Sequence, residues 1–312
     1  MKQTILGAGG AVGVEVARAL TAYTHDIRLV GRNPKKVNTS DELLKADLTN
    51  REEVFRAVAG SGVVYLTVGF EYSTRIWRKS WPALIRHVID ACLAHSAKLV
   101  FFDNAYAIGG NSVNHITEAT PFRPSSQKGV IRTEVDDILL QSIEQQGLQA
   151  LIARAPDIFG DIKVNSVLMH LVYDNLVRGE KAVWLCNADA VHSIGYTPEL
   201  AKGTVMLGNT PDAYGQLWNL PVDTRPITGR EWIQLFAKAL GKNNALEVLP
   251  AALVKELGTD NQVMHELFEM LYQYDRDYYF DSTKFNQRFN YTPITHAQAV
   301  QETVARLARR VD

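Results

Sequence analysis

The sequence has little cysteine, with only Cys92 and Cys186 among its 312 residues. The two lie in separate apolar segments, which fits buried thiols in a reducing compartment better than a disulfide framework. No apolar run approaches the length needed to span a membrane, and no secretory signal pattern precedes the first apolar run. We therefore expect a cytoplasmic protein that does not contact a membrane.

The sequence also has no excess of charge of one sign. Its 33 Lys and Arg residues balance 34 Asp and Glu residues, for a net charge of −1. This balance gives no bulk electrostatic reason to expect a nucleic acid or an anionic membrane as partner. Histidine, cysteine and acidic residues do not occur together at the spacing of metal ligands, so no metal site is expected.

What the sequence does contain, in its first half, is an alternation of strand and helix patterns. Apolar runs predict strands at 3–6, 27–31, 43–47, 63–68, 98–102 and 148–153. Helical patterns lie between them, at about 12–22, 51–59, 75–95 and 128–146. Nearly continuous apolar strands are typical of a parallel sheet covered on both faces. The alternation therefore predicts an α/β fold with a Rossmann-type, doubly wound parallel sheet.

The most informative segment is the glycine-rich turn after the first strand, Gly7-Ala8-Gly9-Gly10-Ala11-Val12-Gly13. Its glycines allow the backbone to bend tightly and to approach a pyrophosphate, which then meets free amides at a helix N-terminus. A strand pattern before the turn and a helix pattern after it are the context that this motif requires. We therefore predict a dinucleotide cofactor that contacts Gly7, Gly10, Ala11, Val12 and Gly13.

The second half is less regular and predicts a smaller α/β substrate lobe interwoven with the first domain. Helices are expected at 165–178, 198–207, 228–240, 249–257 and 296–310, and strands near 181–186 and 216–220. We expect the dinucleotide-binding domain to cover residues 1–160, with segments near 187–210 rejoining it, and the lobe to cover residues 161–312.

The turn after the second strand is basic, with the sequence Gly31-Arg32-Asn33-Pro34-Lys35-Lys36. An acidic residue at this place binds the ribose hydroxyls of NAD, whereas a basic residue accommodates the 2′-phosphate of NADP. Arg32, with Asn33 beside it, therefore favours NADP over NAD. A solvated basic turn is the alternative.

Two further strand ends supply candidate residues. Asp47 and Leu48 follow the short third strand, and Asp47 is a candidate acceptor for the adenine amino group or a cap for the helix near Arg51. Thr67-Val68-Gly69 ends the fourth strand, where the glycine lets backbone approach the cofactor ribose. Phe70-Glu71-Tyr72 follows, either as a wall of the substrate pocket or as a surface loop.

Together these segments resemble the short-chain dehydrogenase/reductase superfamily, in its extended, epimerase/dehydratase-like branch. Gly7, Gly10 and Gly13 match its glycine spacing. Four later segments are also similar to it: Arg154 to Gly160, Leu217 to Leu220 with Thr228 to Glu231, Tyr279 to Lys284, and Tyr291 to Pro293. The first of these resembles the stretch that passes under the nicotinamide, which implies cofactor contacts at Pro156 and Ile158 and a substrate contact at Asp157. The second resembles a strand and helix of the substrate lobe.

The chain departs from this family where the family carries its catalytic residues. There a Ser or Thr follows the fifth strand, and a Tyr-x-x-x-Lys lies on the next helix. The Lys lowers the pKa of the Tyr, which exchanges a proton with the substrate oxygen. Matching the segments puts Asn104 at the Ser position, Lys128 at the Tyr position and Arg132 at the Lys position.

Asn104 is still able to hydrogen-bond a substrate oxygen, and Arg132 is able to bind ribose hydroxyls. Two proton sources stay open. One is Lys128, whose pKa the like charge of Arg132 four residues along the helix depresses. The other is a nearby phenol, Tyr106 or Tyr72. His192 is a further candidate for the substrate pocket, with a surface or core histidine as the alternative.

The sequence thus predicts an NADP-binding oxidoreductase or epimerase that acts on a small molecule with a carbonyl/alcohol pair. The resemblance makes a nucleotide sugar the commonest substrate class. The alternative is a non-catalytic NADP-binding sensor or regulator. The resemblance also implies a homodimer through the helices at 75–95 and 128–146, but their mixed outer faces leave the oligomeric state open.

Overall fold

The computed structural model describes residues 1–164 and 166–309. Its strands are β1 (Gln3–Leu6), β2 (Ile27–Gly31), β3 (Glu42–Lys45), β4 (Val63–Leu66), β5 (Lys98–Asn104), β6 (Ala150–Ala155), β7 (Asp157–Phe159), β8 (Ala182–Leu185), β9 (Ile194–Tyr196), β10 (Leu217–Asn219) and β11 (Leu246–Leu249). The seven strands of the main sheet are all parallel, in the order β10-β6-β5-β4-β1-β2-β3. β11 with β8 and β7 with β9 form two small parallel pairs.

Helices cover both faces of the main sheet. The helices are α1 (Ala11–Leu20), α2 (Arg51–Val58), α3 (Thr74–Ala94), α4 (Gln127–Gln146), α5 (Asp174–Arg178), α6 (Thr197–Gly208), α7 (Gly229–Leu240), α8 (Ala251–Leu257), α9 (Gln262–Phe268), α10 (Thr283–Phe289) and α11 (His296–Ala308). α1 and α6 pack on one face, and α2, α3 and α4 on the other. This confirms the predicted doubly wound α/β fold.

The strands are apolar because both of their faces are buried. Every residue of β1, β4 and β6 is buried, so each of these strands contributes side chains to the cores on both sides of the sheet. A third core lies in the C-terminal part of the chain, where α7, α9 and α11 surround β8 and β9. This smaller lobe stands over the carboxyl ends of the main strands.

The segment near 216–220 lies elsewhere than the resemblance suggested. It forms β10, which pairs with β6 at the edge of the main sheet and not within the lobe. The side chain of Asn219 fixes it there: its Oδ1 accepts from Arg154 Nε at 2.9 Å, and its Nδ2 donates to the carbonyl oxygens of Ile116 and Asp281. These three hydrogen bonds hold the buried Asn219 side chain, and with it β10, beside β6.

The lobe also differs in detail from its sequence pattern. The region 165–178 contains a π-helical turn at Met169–Tyr173 before α5, and residue 165 lies outside the described residues. The last helix ends at Ala308, and residue 310 is likewise outside them. The sequence analysis did not predict β7, β9, β11, α9 or α10. Within the described residues, no helix is both long and apolar enough to cross a membrane.

Candidate functional site

A large cleft lies between the carboxyl ends of the main strands and the C-terminal lobe. Its volume is about 1220 Å³. Pockets for a single drug-sized ligand measure roughly 300–1000 Å³, so this cleft has room for a dinucleotide and a second small molecule. Open parallel sheets bind ligands at this edge. No cluster of His, Cys, Asp and Glu in the described chain could hold a metal ion.

The glycine turn packs too closely for side chains at two positions. Gly7 has a φ of +96°, and a Cβ there would lie 2.7 Å from the backbone nitrogen of Val68. A Cβ on Gly13 would lie 2.5 Å from the carbonyl oxygen of Gly7. These glycines therefore hold the turn against the end of β4. Gly13 is buried and is not among the residues that line the cleft.

The helix after this turn presents an open N-terminus to the cleft. Gly10 is the N-cap of α1 and supplies no side-chain hydrogen bond, and the first turn holds no acidic residue. Gly10, Ala11 and Val12 all line the cleft. Unsatisfied amides and the positive end of the helix dipole suit an anion at this place. The cradle therefore fits the pyrophosphate of a dinucleotide.

The residues predicted for the adenosine half lie at the same end of the cleft. Arg32, Asn33, Asp47 and Leu48 all line it. Hydrogen bonds from Thr49 hold the Asp47 carboxylate and, together with the nearby charge of Arg32, lower its pKa. The cap of α2 is Asn50, whose Oδ1 accepts from the backbone of Glu53, and not Asp47. Arg32 is exposed at the rim.

The middle of the cleft is formed by the segments after β4 and β6. Its lining includes Thr67, Val68, Gly69, Phe70, Glu71, Tyr72, Pro156, Asp157 and Ile158. The Asp157 side chain connects this segment to the C-terminal lobe. Its Oδ2 accepts from the hydroxyl of Tyr274 at 2.7 Å and lies 3.0 Å from His192 Nε2.

His192 is buried behind Asp157 and does not line the cleft. Its ring stacks between Tyr274 and Tyr278, at centroid distances of 4.4 and 4.9 Å. Its carbonyl oxygen accepts from Trp232 Nε1. The histidine ring therefore contacts Asp157 from behind the cleft wall and is not itself exposed to the cleft.

Asn104 and Tyr106 lie at the end of β5 and both line the cleft. The Oδ1 of Asn104 accepts from the backbone nitrogen of Tyr106 at 3.0 Å, which leaves the amide nitrogen as a donor. The Tyr106 ring stacks on Trp77 with an interplanar angle of 18°. Burial raises the pKa of Tyr106 well above its ordinary value, and the neighbouring Tyr72 adds to the shift.

Arg132 also lines the cleft, but as part of a buried ion pair with Asp103. Its guanidinium lies 4.1 Å from the ring centroid of Trp81 and 5.0 Å from that of Phe101. One turn along the helix, burial raises the pKa of Asp136 to about 7, although the charges of Arg132 and Arg154 oppose the shift. The buried Arg132–Asp103 ion pair therefore forms part of the lining at this end of the cleft.

Lys128 lies outside the cleft. Its side chain is fully buried, and its Nζ donates to Glu269 Oε1 at 2.9 Å and to the carboxylate of Glu266 at 2.5 Å. It also donates to Thr74 Oγ1 at 3.1 Å and to the Glu266 carbonyl oxygen at 2.9 Å, and lies 4.6 Å from the Tyr72 ring centroid. The lysine thus fastens α9 to α3 and α4, and all its donors are occupied.

Sequence reasoning missed the lobe side of the site. Tyr274, Trp184, Met264 and Leu267 all line the cleft. They come from three separated stretches without a recognised motif, so only the folded chain brings them together. Asp103 was missed for another reason. It precedes Asn104 in β5, and a buried acid within a strand carries no visible signal until its partner Arg132 is placed.

Known proteins match the chain in sequence profile and in fold. A model of the NAD dependent epimerase/dehydratase family matches residues 4–220. A search of curated proteins finds no match. Among solved structures, UDP-N-acetylglucosamine 4-epimerase from Bacillus cereus superposes with a TM-score of 0.79 at 16% identity, covering 99% of this chain and 96% of that one.

Two more structures give the same result. A dTDP-glucose 4,6-dehydratase from Streptomyces venezuelae has a TM-score of 0.78 at 15% identity, over 99% of this chain and 97% of that one. UDP-glucose 4-epimerase from Thermotoga maritima has a TM-score of 0.80 at 14% identity, over the full length of both chains. The family model covers well over half of the chain, and the fold agrees. The chain belongs to the NAD dependent epimerase/dehydratase family.

Proposed function

We propose that this protein is an NADP-dependent oxidoreductase that interconverts a carbonyl group and an alcohol, either as its net reaction or within an epimerisation. One observation carries the proposal. Asn104, Tyr106 and Asp157 line the cleft together with Pro156, while the glycine turn lines the same cleft. Two donors for a substrate oxygen, the Asn104 amide and the Tyr106 hydroxyl, thus share one cleft with the cradle for a dinucleotide.

The preference for NADP rests on Arg32. Its guanidinium makes no hydrogen bond or ion pair within the described residues, lines the cleft and is exposed at the rim. This is the arrangement that a 2′-phosphate requires. Several structural neighbours were solved with NAD, so the preference would be a feature of this chain.

A dinucleotide held by the glycine turn and Pro156 would supply hydride transfer at the reacting carbon. The chain itself supplies hydrogen bonds and a proton. The Asn104 amide donates to the substrate oxygen, and the Tyr106 phenol gives up its proton as that oxygen gains charge. Burial raises the pKa of Tyr106, so the phenol is protonated at neutral pH and is available as a donor to the substrate oxygen.

A non-catalytic NADP-binding regulator is the second candidate, and one observation favours it. Lys128, at the place where the resemblance implies a catalytic tyrosine, is held by Glu266 and Glu269 outside the cleft. Without a proton source elsewhere in the cleft, binding would not lead to turnover. The proposal therefore depends on the phenol of Tyr106.

The test compares Tyr106→Phe with Tyr272→Phe, by NADPH oxidation across a panel of aldehydes and ketones. Tyr106→Phe keeps the ring on Trp77 but removes the proton, so we expect kcat to fall about a hundred- to ten-thousandfold with NADPH affinity unchanged. Tyr272 does not line the cleft and is the matched control. Tight NADPH binding without turnover across the panel would support the regulator instead.

A further inference from the structure

We propose that the substrate of this cleft is an uncharged and largely apolar or aromatic carbonyl or alcohol compound, and not a nucleotide sugar. The inference rests on the proposed function, since it names the molecule that would react there. The structural neighbours named above act on UDP or dTDP sugars according to their names. Such substrates carry a diphosphate, which a protein must match with cations or clustered donors.

The lobe wall of the cleft does not offer such groups. Among its described residues, the lobe contributes no Lys, Arg, Asp or Glu side chain to the lining. Most of what it contributes is aliphatic or aromatic, for example Leu171, Val183, Trp184, Leu185, Met264 and Leu267. A wall of this kind stabilises a ligand by removing apolar surface from water, at roughly 25 cal/mol per Å².

The opposite wall is aromatic. Phe70, Trp77, Trp81 and Tyr106 all line the cleft and contact one another. Phe70 meets Trp81 edge to face at 5.1 Å, and Tyr106 stacks on Trp77 at 6.1 Å. Rings fixed by such contacts make flat surfaces that suit an aromatic or extended apolar molecule.

The charges that do face the cleft oppose a second anion. Beyond the dinucleotide end, its lining includes the carboxylates of Glu71 and Asp157. Arg132 is already paired with Asp103. His170 is the basic lining residue that the described part of the lobe contributes, and it is exposed and lies 3.3 Å from Asp174. A diphosphate placed here would lose its hydration without gaining a free cation.

The polar groups beside Pro156 suit a small polar function. Asn104 and the Asp157–Tyr274 pair lie on the cleft wall with Pro156, and the wall formed by α9 is apolar. A single carbonyl or hydroxyl group would meet these side chains, while the rest of the molecule lies against Met264 and Leu267. The substrate class follows from this division of the surface.

The experiment measures binding by calorimetry to the full chain loaded with NADP, using acetophenone and related neutral aryl ketones, UDP, and UDP-glucose as probes. We expect saturable binding of the ketones and none of UDP or UDP-glucose. Met264→Glu places a charge on the half-buried apolar wall and should weaken ketone binding at least tenfold. Phe268→Glu, on the same helix but outside the cleft lining, is the matched control and should leave binding unchanged. Thermal unfolding of both variants checks that they are folded.

Each outcome separates this inference from the proposed function. Ketone binding with NADPH oxidation supports both. Ketone binding without oxidation supports the apolar substrate class and contradicts the oxidoreductase. Binding of UDP or UDP-glucose that displaces the ketones overturns the inference, whether or not turnover occurs. Equal ketone affinity in both variants, or no saturable ketone binding at all, also overturns it.

Discussion

The two ends of the cleft are built in different ways. At the dinucleotide end, short segments directly after β1, β2 and β4 supply backbone amides and an exposed arginine. At the other end, which we proposed above as the place of reaction and call the reacting end, side chains from β5, α4 and α9 are tied together by the buried ion pairs Lys128–Glu266 and Arg132–Asp103. The dinucleotide end therefore offers Arg32 and free backbone amides to a ligand. At the reacting end, the charges of Lys128 and Arg132 are already paired with acidic side chains.

This difference assigns different roles to residues that look alike in sequence. Arg32 and Arg132 are both arginines on the cleft wall, but Arg32 is exposed and Arg132 is 1% exposed beside an acid. We therefore expect substitutions in the buried ion pairs of the reacting end to change the free energy of unfolding first. Substitutions of Arg32 and of other cleft-lining residues at the dinucleotide end should change ligand binding first.

The largest effect is expected from Lys128→Met. It leaves Glu266 and Glu269 without their buried cation, which typically costs about 3–5 kcal/mol of unfolding free energy. Urea denaturation measures the loss, with Lys79→Met, an exposed residue of α3, as control. If the variant instead kept its stability but lost turnover, Lys128 would take part in the reaction. That result would contradict a purely structural role for this ion pair.

Alanine substitutions at two glycines of the same turn should have different effects, one on stability and the other on NADPH binding. A Cβ at Gly13 meets the Gly7 carbonyl oxygen at 2.5 Å, so Gly13→Ala should lower the unfolding free energy by about 1–3 kcal/mol. At Gly10 the nearest atom would be 3.6 Å away, so Gly10→Ala should fold normally but bind NADPH more weakly. Thermal unfolding and NADPH fluorescence titration measure the two effects. Equal stabilities for the two variants would contradict the packing argument.

The buried acid at the reacting end should make stability depend on pH. The pKa of Asp136 is raised to about 7 by burial, whereas an unfolded Asp titrates near 3.9. Between these values the folded state binds the extra proton, so the unfolding free energy falls as pH rises from about 4 to about 7, by at most about 1.4 kcal/mol per unit. Asp136→Asn should lack this slope. Glu134→Gln, exposed on the same helix, should retain it.

The smallest effect is expected from Arg32, which lies at the rim of the cleft. Arg32→Ser should weaken NADP binding about tenfold, or roughly 1.4 kcal/mol, and leave NAD binding nearly unchanged. Lys36→Ser is the matched control, because Lys36 Nζ donates to the Thr39 carbonyl oxygen and does not line the cleft. Side-by-side titrations with the two dinucleotides measure the preference. An unchanged ratio of affinities in Arg32→Ser would remove the argument for NADP.

The same contrast explains what the sequence could predict. The main-sheet strands and the glycine turn follow from local patterns, since each needs only a short apolar run or a few glycines. Lys128 could not be placed in this way, because its partners Glu266 and Glu269 lie on α9 and at its C-cap, and the sequence pattern did not predict this helix. Tyr274 and Asn219 are similar cases. Each acquires its role from a residue distant in the sequence, and local periodicity carries no information about such pairs.

The fastening of α9 by Lys128 has a consequence for the order of folding. Lys128 and Glu266 are 138 residues apart in the chain, so their contact closes a long loop. Loop closure costs more entropy as the loop lengthens, and distant contacts form slowly. The sheet and the glycine turn depend mainly on nearer neighbours. We therefore expect a nascent chain to form its dinucleotide cradle first, and to complete the apolar wall of its cleft only when the last quarter of the chain docks.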